Sequence, residues 1–217
     1  MSLIPYVNLS AQWRDERAEL LPIIESVLES GQYVGNNAVQ ELENDIAQAF
    51  RVRHVVALNS GTDALLLGLL SINVEPGDEV ITPPNSFIAS TAAISKVGAK
   101  PVFVDVGPDQ NIDPNLIIKA ITKKTKAIMP VHLTGRVADM VAITEIAKHH
   151  NILVIEDAAQ AAGSRLDNKF SGSWGAIGCF SAHPLKNLNA CGDAGFITTD
   201  DDDIARRVRL MSNHGLI

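Results

Sequence analysis

The amino-acid sequence predicts an α/β protein built on a mostly parallel sheet sandwiched by helices. Three observations predict it. From residue 54 onward, short apolar stretches of strand length alternate with helical stretches of about 10–15 residues. The strand stretches, "ILVI" and "AIMPV" among them, are apolar almost without a break, as strands covered on both faces are. The 217 residues are 46% hydrophobic and 20% charged, the balance of a folded soluble chain.

The elements follow in order. Residues 11–30, "AQWRDERAELLPIIESVLES", read as a helix ended by Gly31. Residues 37–50, "NAVQELENDIAQAF", read as a second, with Val39, Leu42, Ile46 and Phe50 along one face. "HVVALNS" is then a short apolar strand, broken by Gly61, and "TDALLLGLLSI" a helix. "GDEVITPP" gives a turn and strand, "SFIASTAAISKVG" a helix, and "KPVFVDV" a strand. "DPNLIIKAI" is a short helix, "TKAIMPVHL" a strand, "DMVAITEIAKHH" a helix and "NILVIEDAA" the most apolar strand. "AIGCFSAH" and "AGFITTD" are two further strands, and "DDIARRVRLMSNHG" closes as a helix. The chain therefore reads as N-terminal helices over 1–50 and an α/β core over 51–217.

Composition excludes several classes of function. A formal net charge of −7 without a basic stripe argues against nucleic-acid binding, and Lys123, Lys124 and Lys126 read as a solvated turn. No apolar run is long enough to span a bilayer, and "MSLIPYVNLS" lacks the features of a signal peptide. A cytoplasmic protein without membrane partners is expected. Cys179 and Cys191 are too few for a disulfide framework and read as small buried thiols. The run Asp200 to Asp203, at a helix start, reads as dipole and solvent partners, so no metal is assigned.

In such a sheet, ligands bind beyond the carboxyl ends of the strands. "NSGTDALL" puts Gly61 and Thr62 at a helix start whose free N–H groups suit a phosphate. Equally, Gly61 makes a turn and Asp63 caps the helix. Asp157 ends an apolar strand, where a carboxylate is costly unless paired. Alone it reads as a cap for a following helix, with Gln160 as capping-box partner or ligand contact. Phe87 reads as core or stacking platform, Ser181 as a strand-end hydroxyl, and Lys186 as a surface lysine or a desolvated amine. Together, a phosphate cradle, an apolar face, a buried carboxylate and an amine converge at one sheet edge. Pyridoxal phosphate requires those four things: donors for its phosphate, a stacking partner, a carboxylate for its pyridine nitrogen and a lysine for its aldehyde.

The chain resembles the DegT/DnrJ/EryC1/StrS family of sugar aminotransferases. The resemblance is carried by "ALNSGTDALLLGLL", "GDEVITPPNSFIASTAAI", "VIEDAAQAAGSR" and "FSAHPLKNLNACGDAGF". It implies a fold-type-I, aspartate-aminotransferase-like large domain. It also implies that the smaller C-terminal domain of the family is absent, the chain ending before it. It makes Lys186 the lysine that holds pyridoxal 5'-phosphate as a Schiff base and later shuttles the proton. Asp157 would pair with the pyridine nitrogen, Gln160 contact the phenolic-oxygen side, Phe87 stack on the ring, and Gly61, Thr62 and Ser181 bind the phosphate. His132 and His183 are expected to be structural. The reaction that the resemblance implies moves an amino group from an amino acid, glutamate being the expected donor, to a nucleotide-linked keto sugar, within a homodimer. "KNLNACGD" resembles relatives acting at the sugar's 3-position. Dehydratases of the family carry histidine where Lys186 stands, so aminotransfer is expected over deoxygenation. A non-catalytic or truncated relative is the further alternative.

Overall fold

The computed structural model describes residues 4–35 and 37–216, which fall into two compact units, Met1–Leu42 and Glu43–Ile217. In the first, α1 (Leu9–Ser30) starts earlier than the sequence pattern suggested. Asn8 caps it, its side chain accepting the Ala11 N–H at 3.1 Å. Gly31, at φ 69°, ends it in the left-handed conformation that glycine adopts without strain. No side chain of α1 is buried. The unit boundary falls inside α2 (Asn37–Phe50). Of the apolar face expected there, Ile46 and Phe50 are buried, whereas Val39 and Leu42 are exposed. The buried positions of α2 are Glu43, Ile46 and Phe50, so its covered stripe lies wholly in the second unit.

The second unit holds a seven-stranded sheet in the order β1-β9-β8-β5-β4-β2-β3. Its strands are β1 (His54–Leu58), β2 (Glu79–Thr82), β3 (Lys100–Phe103), β4 (Thr125–Ile128), β5 (Leu153–Asp157), β8 (Ile177–Ser181) and β9 (Gly195–Thr199). The pairs from β3 across to β8 are parallel; β9 alone runs antiparallel to both its neighbours. The sheet is therefore mostly parallel, as the apolar strands predict. All strands except β9 point their carboxyl ends to the same edge.

Period-two alternation sorts the side chains into two layers. Val56, Val80, Ala127, Ile155, Ile177, Cys179 and Ile197 face α3 (Gly61–Ser71), α4 (Ile88–Lys96) and α7 (Asp202–Ser212). Their strand neighbours Ile81, Ile128 and Val154 face α5 (Pro114–Ala120) and α6 (Met140–His150). On that second face, Val55, Phe180 and Phe196 meet Ile46 and Phe50 of α2. Phe180 and Phe196 stack at 4.6 Å, and Phe50 meets Phe180 edge-on at 5.4 Å.

A hairpin unforeseen in the sequence, β6 (Arg165–Leu166) and β7 (Lys169–Phe170), carries Phe170 into this aromatic cluster. Its two-residue turn, Asp167–Asn168, has both residues at positive φ, which a type I′ turn requires and which Asp and Asn tolerate. Among the described residues no helix is long and apolar enough to cross a membrane. Cys179 is buried as expected; Cys191 is exposed, because it lies in the loop before β9 rather than on a strand. The four aspartates are spent locally. Asp201 caps α7, Asp200 accepts the Arg53 N–H, Asp202 meets His54 at 2.6 Å and Arg53 at 3.2 Å, and Asp203 lies 3.6 Å from Arg206.

Candidate active site

At the carboxyl edge of the sheet lies a cavity of about 400 Å³, a size that takes a small-molecule ligand. Its wall includes Gly61, Thr62, Phe87, Asp157, Gln160, Ser181 and Lys186, every site residue singled out in the sequence.

The start of α3 forms one end. Ser60, in extended backbone, accepts the Asp63 N–H on its hydroxyl at 3.1 Å and the Ala64 N–H on its carbonyl at 3.1 Å. Ser60 is thus the cap in place of Asp63, which stands inside the first turn, beyond the reach of an N-cap side chain. Among the described residues, no hydrogen bond takes up the N–H of Gly61 or Thr62, so both remain available beside the hydroxyls of Thr62 and Ser181. A Cβ on Gly61 would stand 2.6 Å from the Ser181 Cβ, and one on Gly195 would stand 2.5 Å from the Ser60 carbonyl carbon. Glycine at 61 therefore serves close approach of α3 to β8. Gly195 does the same at β9, a role that sequence reading missed.

Asp157 lines the same cavity. Its side chain is buried, accepting from Ser90 Oγ at 2.6 Å and from the Ala159 N–H at 3.2 Å. Burial raises its pKa; the Ser90 hydroxyl and the Ala159 N–H pull the other way, and His132 and Lys186 do so after them. No helix follows β5, so the capping role considered for Asp157 and Gln160 does not arise. Turns occupy 158–164 instead. Gln160 Oε1 accepts the Thr134 N–H at 2.8 Å, holding Thr134 in the left-handed region at φ 53°, uncommon for a β-branched residue. Gln160 lines the cavity, and with its oxygen engaged the NH₂ is the group it has left to donate.

Phe87 is 67% exposed, not core: it precedes the first turn of α4 at the cavity mouth. Lys186 is half-buried in the loop after β8 and lines the same cavity as Asp157. His183 also lines it, its Nδ1 accepting the Leu185 N–H. His132 does not. It is fully buried, accepting the Ala138 N–H on Nδ1, so Nε2 carries the hydrogen and donates to Glu156 at 2.9 Å. Glu156 further accepts the N–H groups of Gly172, Trp174 and Gly175, each at 2.7 Å. This buried carboxylate, facing the opposite layer from Asp157, is a framework residue that no sequence motif announced.

The free N–H groups of α3 suit a phosphate-sized anion, and the cavity they share with Asp157 has the volume for a small heterocycle beside it. The residue that decides the fit is Asp157, a buried acid on the cavity wall with which a protonated ring nitrogen would pair.

The DegT/DnrJ/EryC1/StrS aminotransferase family matches residues 14–217. The chain is 45% identical over 214 residues to a UDP-N-acetyl-3-dehydro-α-D-glucosamine 3-aminotransferase of Acidithiobacillus ferrooxidans, covering 98% of this chain and 58% of that protein. It is 44% identical to a "pleiotropic regulatory protein" of Geobacillus stearothermophilus, covering 98% and 57%. The crystal structure of S. venezuelae DesV in complex with a ketimine intermediate superposes with a TM-score of 0.96 at 41% identity, covering all of this chain and 58% of that one. The chain thus spans rather more than half the length of these relatives.

Proposed function

This chain belongs to the DegT/DnrJ/EryC1/StrS aminotransferase family, and from that premise we propose that it carries the pyridoxal-phosphate site of an aminotransferase for nucleotide-linked keto sugars. The observation that carries the reading is the buried Asp157 carboxyl sharing one cavity with the Lys186 amine and the unpaired N–H groups of α3.

The N–H groups of Gly61 and Thr62 and the hydroxyls of Thr62 and Ser181 would hold the phosphate. Phe87 would cover one ring face, Asp157 would keep the ring nitrogen protonated, and the Gln160 NH₂ would donate to the phenolic oxygen. Bound there, the cofactor supplies a carbon that condenses with amines and a charged ring that accepts the electron pair left by a departing proton. Lys186 Nζ would be the base that takes up and returns a proton at the reacting carbon. Ser90 holds the Asp157 carboxyl in place. Glutamate as amino donor, an amine placed at the sugar's 3-position, a homodimer and a cytoplasmic setting belong to the same proposal. The name of the A. ferrooxidans relative supports the position of the amine.

Incubation with pyridoxal phosphate and borohydride tests the site. The expected result is a covalent label on the peptide containing Lys186, absent from Lys186→Ala, which keeps its fold by circular dichroism. Label elsewhere, or none, overturns the reading. A second reading, ligand sensing without turnover, is favoured by the name of the Geobacillus relative. Transfer of ¹⁵N from glutamate to a UDP- or dTDP-linked 3-keto sugar decides for the enzyme, and deoxygenation of the sugar without that transfer decides for a dehydratase.

A further inference from the structure

We propose that Asn187 is a positioning residue, whose side-chain amide fixes the loop bearing Lys186 against the turn that follows Asp157 and bears Gln160; the inference rests on the reading of Lys186 above. The loop 182–190 largely shapes itself. The Ala190 N–H donates to the Ala182 carbonyl at 2.8 Å and the Lys186 N–H to the His183 carbonyl at 2.8 Å. Asn189 Nδ2 donates to the Pro184 carbonyl at 3.0 Å. These bonds set the curvature of the loop without setting its distance from the turn at 158–164.

Asn187 supplies that distance. Its Nδ2 donates to the Ala162 carbonyl at 2.6 Å, across 25 positions of sequence. The far end of the bond is firm. Ser171 Oγ donates to the Ala161 carbonyl at 2.5 Å and the Ser171 N–H to the Ser164 carbonyl at 2.9 Å. The next residue, Gly172, is held by the buried Glu156. Ala162 is therefore tied back to β5, the strand that ends in Asp157. A lysine carries four rotatable side-chain bonds, so its amine is only as well placed as the backbone beneath it. Asn187 is exposed, and packing places no demand for asparagine there.

The test compares Asn187→Ala and Asn187→Asp with the wild-type chain. The aspartate keeps the shape but has no hydrogen to donate. Pyridoxal phosphate is the probe, and three quantities are read: the borohydride-trapped labelling rate at Lys186, the pH midpoint of the bound cofactor's visible absorbance, and Tm. Both variants are expected to label about fivefold more slowly, the worth of one net hydrogen bond. Their absorbance midpoint should shift, with Tm nearly unchanged. Wild-type rate and midpoint in both variants overturn the positioning role while leaving the proposed function intact, whatever Tm does. Absence of label at Lys186 in the wild-type chain overturns the proposed function and the positioning role together.

Discussion

Asp157 carries a thermodynamic cost that its environment makes measurable. Because burial raises its native pKa, the folded protein keeps a proton that the unfolded chain has already lost. Stability is thus fully present below the unfolded carboxylate pKa and falls as pH rises through the native value. Asp157→Asn should therefore gain Tm over wild type in the cofactor-free protein, the gap opening as pH rises above about 4. A gap independent of pH would contradict this. The same variant, loaded with cofactor, should lose about a hundredfold or more of the proposed amino-transfer turnover, measured by ¹⁵N transfer. Gly61 makes the complementary prediction. The methyl of Gly61→Ala would meet Ser181 at 2.6 Å, so about 1–3 kcal/mol of stability should be lost. Pyridoxal-phosphate affinity, read by absorbance titration, should fall with it.

At the scale of elements, β5 is held by what its side chains accept. Every partner of Glu156 is a donor: His132 Nε2 and the N–H groups of Gly172, Trp174 and Gly175. A carboxylate satisfies all of them. An amide cannot, since its NH₂ must face two donors whichever way it turns. Glu156→Gln is expected to cost about 3 kcal/mol in urea unfolding, a value near zero refuting the account. None of this was legible in the sequence, where "VIED" reads simply as a strand ending in acids. Strands and helices were legible because burial on both faces leaves uninterrupted apolar runs and because Gly31 and Gly61 punctuate them. What escaped depends on pairs distant in sequence: Gly195 against Ser60, Gln160 against Thr134, Asn187 against Ala162. The hairpin at 165–170 escaped for another reason, its strands being too short for any period to register, although Asp167–Asn168 is a recognisable turn pair. Phe87 and Asp157 were each ambiguous alone and informative only as a set.

The whole molecule divides its duties unevenly. The cavity and all three apolar clusters lie within Glu43–Ile217, and α1 contributes no buried side chain. A chain beginning at Asn37 should keep the sheet, with a Tm within a few degrees of the 217-residue chain; loss of cooperative melting would count against it. The α2 end of that unit is secured by Glu43, which accepts from Arg209 at 2.8 Å and 3.2 Å and from the Ala57 N–H at 2.8 Å. Arg209→Ala, which strands a carboxylate that is only 3% exposed, is expected to cost about 2–3 kcal/mol by thermal melting.

Consecutive acids at 156 and 157 point to opposite sides of one ribbon. Sliding that ribbon by a single position against β4 and β8 would turn each acid to the opposite face, so that the cavity would lose Asp157 and the framework Glu156. Strand alignment is thus itself a chemical specification here, and the hydrogen-bond ladders flanking β5 shape the cavity as much as any side chain does.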